Sequence, residues 1–113
     1  MNPRKEVNIE NKAKSNKQTV DLLTKSYIVH KHRIKEYEQN LINISDNNIR
    51  CSRYVVSHIE NVVEELRERE RFIIENEVLN GKEGKWYEGC LSSSSYYRHR
   101  DKAYGEFLRC LGL

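Results

Sequence analysis

The sequence predicts an all-α protein, a small helical bundle with a long N-terminal helix and a helix-turn-helix at its C-terminal end. Apolar residues recur at spacings of three and four along most of the chain, the signature of amphipathic helices. Serines stand ahead of two periodic segments, where N-caps belong. No alternating strand pattern competes. At 113 residues there is room for one small domain and a tail. No apolar run exceeds three residues, which argues against a membrane-spanning helix and a signal peptide. One Pro and five Gly argue against a linker or a turn-rich barrel.

Residues 1–14 contain little apolar material beyond Val7 and Ile9 and read as a flexible basic lead-in. Ser15 with Gln18 fits a capping box that opens a helix over 15–42. Its seam is Val20, Leu23, Tyr27, His30, Ile34, Tyr37 and Leu41. Such a seam serves an intramolecular bundle or a homodimer through 20–41; a small domain favours the bundle. The turn formers Asn43–Asn48 separate this helix from a second periodic segment over about 53–80. Val55, Ile59, Val62 and Leu66 form its first stripe, and Phe72, Ile73, Val78 and Leu79 its later one. Between them the seam falls on Arg69, which favours two helices with a tight joint near Arg67–Arg71 over one continuous helix. The alternating Arg and Glu there read as a solvated face.

Gly81 and Gly84 bracket a loop, and residues 85–91 read as a short helical piece. The last helix starts near Ser93–Ser95 and runs to about Cys110, with an apolar stripe of Tyr96, His99, Ala103, Phe107 and Cys110 or Leu111. This order of elements is that of a helix-turn-helix, whose second helix enters the major groove and reads bases with its N-terminal residues. Ser93 and Ser94 then face phosphate or base oxygens, Tyr97 is presented beside them, and Arg98 matches the bidentate fork that reads guanine. Arg100 and Lys102 fall at positions suited to backbone phosphates. Charge is uneven: residues 1–35 hold nine Lys/Arg against three Asp/Glu, whereas residues 64–83 hold four against seven. A basic front and an acidic middle suggest different partners.

The C-terminal half also resembles a family. Glu70–Glu75, Trp86-Tyr87, Ser92–Arg98, Lys102-Ala103 and Phe107-Leu108 are similar to ArpU-type and phage late-transcription regulators of Gram-positive bacteria. That family's C-terminal half is in turn similar to the promoter-reading domain of sigma factors. The resemblance covers about residues 55–111, with Ser-x-Ser-x-Tyr-Tyr-Arg as its distinctive part. It implies a DNA-binding transcriptional regulator whose base-reading positions are Ser93, Ser94, Tyr97 and Arg98. Ser93 and Asp101 depart from it, standing where basic residues are usual.

The expected partner is therefore double-stranded DNA, with RNA polymerase as the partner in a competing reading as a helical interaction module. No membrane partner is expected. No nucleophile–base–orienter set is visible, so the chain does not read as an enzyme, and no cofactor is expected. Three Cys and four His lack the local spacing of a zinc site, and a metal set of Cys90, His99 and Cys110 is disfavoured. The odd, scattered cysteines at 51, 90 and 110 fit reduced thiols in the cytoplasm.

Overall fold

The computed structural model describes the backbone from Pro3 to Leu113 and the side chains from Asn11 onward. Four helices account for the architecture, and no strand occurs among the described residues. The first, α1, spans Pro3–Glu38. At 1.5 Å per residue it is about 54 Å long, close to the 57 Å long axis of the molecule.

α1 starts twelve residues earlier than the sequence suggested. Pro3 suits a first helical position, because a missing N–H costs nothing there. Ser15 caps nothing; it lies inside the helix, where its carbonyl accepts from the Thr19 hydroxyl at 3.0 Å. The expected lead-in at 1–14 is thus helical from Pro3 onward, and residues 1–2 lie outside the described residues. α1 ends short of residue 42. Asn40 turns left-handed at φ 58°, and bonds from Asn40 N to Tyr37 O and from Leu41 N to Glu36 O close a Schellman motif.

The seam of α1 is filled from within the chain. Val20 and Tyr27 are buried, and Leu23 and Ile34 pack against the same core. α1 lies on the second helix, on the last helix and on the segment 75–79. The stripe is thus used inside the chain, and Leu41, its exposed member, lies past the helix end.

α2 spans Asp46–Glu65, beginning ahead of the expected Arg53. The Ser45 hydroxyl accepts from Asn48 N at 3.2 Å, and Asp46 occupies the first turn, where the helix dipole favours an anion. The turn formers are thus an N-terminus as well as a separator. Ile49, Val56, Ile59, Val62 and Val63 point into the core.

The tight joint is present. Leu66 and Arg67 are extended (ψ 155° and 156°), and α3 begins at Glu68 and runs to Ile74. The Arg67–Arg71 run is more than a solvated face. Glu70 is buried, and the Arg71 guanidinium donates to the Leu66 carbonyl at 3.3 Å, satisfying the group the break leaves free. From α3 the chain continues as one wide turn of π-helix, Glu75–Leu79. Ile73, Ile74 and Val78 are almost wholly buried, whereas Phe72, expected in this stripe, is 41% exposed.

α4 spans Ser93–Leu111. It buries Tyr96, Ala103, Tyr104, Phe107 and Leu108, so Tyr104 and Leu108 join the expected stripe and His99 is only partly covered. Phe107 has no exposed surface and belongs to the core cluster that α3 and α4 share. Burying a side chain of this kind contributes roughly 1.5–3 kcal/mol.

Candidate nucleic-acid interface

The sequence between α3 and α4 sets how α4 is presented. Gly81 and Gly84 both adopt φ 65°, a left-handed conformation that costs glycine nothing. They shape the loop after the π-turn, in which Gly81 lies beside Ile28 of α1. Residues 85–91, expected as a short helical piece, form a hydrogen-bonded turn instead, with Cys90 N and Leu91 N both bonding to Tyr87 O. Gly89 at φ 92° stops any helix there.

One carboxylate organises this end. Glu77, on the π-turn, accepts from Trp86 Nε1 at 2.8 Å and from the hydroxyls of Tyr96 and Tyr104. Tyr87 stacks on Tyr96 with ring centroids 3.8 Å apart, and Trp86 meets both rings edge-on. The turn is thereby pinned to both the π-turn and α4. Burial, reinforced by the hydrogen bond to Glu77, holds the Tyr96 and Tyr104 phenols well above the ordinary tyrosine range. Both remain proton donors to the carboxylate.

Ser92 caps α4, its hydroxyl accepting from Ser95 N at 3.3 Å. Ser93 and Ser94 follow in the first turn, exposed at the positive end of the helix dipole. Tyr97 is 49% exposed and Arg98 is exposed beside it. Among the described residues Arg98 has no ion-pair partner; the α4 cations that pair are Arg100, Lys102 and Arg109.

Arg100 and Lys102 have other attachments. The Arg100 side chain is only 17% exposed, bonds to Asp101 at 3.2 Å, and stacks 4.9 Å from the Tyr97 centroid and 5.7 Å from that of Tyr104. Lys102 Nζ lies 3.7 Å from the buried Glu70 carboxylate, tying α4 to α3. The structure therefore gathers Ser93, Ser94, Tyr97 and Arg98 at one exposed end, and turns Arg100 and Lys102 partly towards structural work.

Sequence reasoning missed Glu77, Tyr104 and the aromatic stack. Only the α4 part had a local signal: Tyr96, Arg100 and Tyr104 recur every four residues and so share one face, while nothing local ties them to Glu77. Among the described residues no three His, Cys, Asp or Glu side chains gather as a metal site, and the three cysteines are free. No helix among them is long and apolar enough to cross a membrane. Compared with protein-family models, curated proteins and solved structures, the chain matches none.

Proposed function

We propose that the protein is a DNA-binding transcriptional regulator of the cytoplasm that reads promoter DNA through the N-terminal turns of α4. The observation that carries this reading is the joint exposure of Ser93, Ser94, Tyr97 and Arg98 around a capped helix N-terminus. Hydroxyls and a helix dipole suit phosphate, and an unpaired guanidinium suits guanine. The rigid Glu77 cluster behind them supplies the preorganisation that a base-reading helix needs. The resemblance of residues 55–111 to ArpU-type regulators supports the same reading. Arg100 and Lys102 then act mainly as positioning residues, with Lys102 able to add a phosphate contact because its side chain is 63% exposed.

Gel-shift titration against genomic fragments at two salt concentrations tests this. One fragment should be preferred over bulk DNA, and Arg98→Ala should cost about 1–3 kcal/mol on that fragment. Equal affinity for all fragments, unchanged by Arg98→Ala, would overturn the reading.

A helical interaction module that contacts RNA polymerase is the second reading. It is favoured by Asp101 on the presented face and by Phe72, exposed beside Leu91 and His99 in a groove of about 470 Å³. It predicts co-purification with polymerase subunits that survives nuclease treatment and is lost in Phe72→Ser.

A further inference from the structure

A cleft of about 570 Å³ opens between α1, the glycine loop and the first half of α4. Small-molecule sites commonly measure roughly 300–1,000 Å³. The lining joins two kinds of surface. Five cations line it (Lys17, Lys25, Lys82, Lys85 and Arg100) against three carboxylates, so it attracts anions. Two of those carboxylates and three of the cations are already engaged: Asp21 pairs with Lys17 at 2.9 Å, Glu77 accepts three hydrogen bonds, Lys85 pairs with Glu88 and Arg100 with Asp101, which leaves Lys25 and Lys82 against Glu83. Lys25, on α1, and Lys82, on the glycine loop, both line the cleft, and neither forms an ion pair among the described residues. The second surface is aromatic. Tyr97 contributes a half-exposed ring beside the Arg100 guanidinium, and Trp86 also lines the cleft. The π-turn that carries Glu77 forms part of the cleft, and such turns recur at functional sites.

We infer that this cleft binds a nucleotide, with its phosphate held between Lys25 and Lys82 and its base stacked on Tyr97. Each lysine supplies a charge-assisted hydrogen bond, and stacking on an exposed ring accepts any base. The same chemistry is offered by a free mononucleotide and by an unstacked nucleotide of a single strand. The site does not depend on duplex reading by Arg98, but it shares Tyr97 with that face, so occupancy of one competes with the other.

Trp86, the only tryptophan, reports on the cleft directly. The test titrates the full chain with adenosine monophosphate, with a six-nucleotide oligothymidine and with inorganic phosphate while following Trp86 emission. Saturable quenching by the first or second is expected, tighter than any response to phosphate. Lys25→Ala and Lys82→Ala, both at exposed positions, should each weaken it by about tenfold, whereas Arg98→Ala should leave it unchanged. Preference for the monophosphate identifies a free nucleotide as the ligand, and preference for the oligonucleotide identifies a strand. No saturable change with either, or quenching that both lysine variants leave intact, overturns the inference.

Discussion

The α1–α2 contact and the α3–α4 end solve the same problem differently. Between α1 and α2 the polar contacts are dispersed: Tyr27 and Lys31 both donate to Glu60 at 3.1 Å, and His30 meets the Ser52 hydroxyl at 2.8 Å. Glu60 lies at the rim, its side chain 37% exposed, so water can replace either partner. At the other end three donors, two of them on buried tyrosines, converge on Glu77. Both carboxylates are shared acceptors, but solvent can stand in for Glu60 at the rim and cannot reach the buried hydroxyls held by Glu77.

Making the same substitution at both acceptors sharpens that contrast most. Glu77→Ala should cost about 3 kcal/mol or more, because three donors lose their partner, two of them buried. Glu60→Ala should cost less, about 1 kcal/mol, because the Lys31 pair is exposed and water at the rim can take over the Tyr27 hydroxyl. Denaturant titration with Trp86 emission reads both, and equal losses would break the comparison.

Alkaline pH probes the same difference. Tyr96 and Tyr104 hold their protons more tightly folded than unfolded, so the unfolded chain releases them first. Their contribution is complete below pH 10 and declines as pH rises beyond it. Burial, followed by the charge of Glu60, raises Tyr27 in the same direction. Thermal melts between pH 8 and 11 should therefore stay flat and then fall.

The two serine caps should behave alike, since Ser45 and Ser92 each accept from the third residue on at 3.2 and 3.3 Å. Ser45→Ala and Ser92→Ala should each cost about 1 kcal/mol by denaturant titration. Smallest of all, Lys17→Ala removes an exposed pair with Asp21 and should change stability by no more than about 0.5 kcal/mol.

What could be read from the residues was what is local. Apolar spacing located α2, the tight joint and α4, because a helix stripe repeats within a few residues. The serine run marked the start of α4 because a cap acts over three residues. The front of α1 escaped notice because residues 3–14 carry almost no apolar stripe, while helix formers such as Lys, Glu and Ala extend a helix without one. Ser45 was overlooked because Asp46-Asn47-Asn48 serves a turn and a first helical turn equally well. The exposed quartet at α4 was legible; the cluster behind it was not. Glu77 meets partners 9, 19 and 27 residues away, and no local pattern announces contacts of that reach.

The Leu66–Arg67 elbow has a mechanical consequence. A side chain from beyond the bend grips the carbonyl at its apex, so straightening would strip a half-buried cation of its acceptor. The elbow behaves as a bracket rather than a hinge. Movement of α2 is therefore felt at α4 both where the two touch and through α1, which lies against both like a tie-rod.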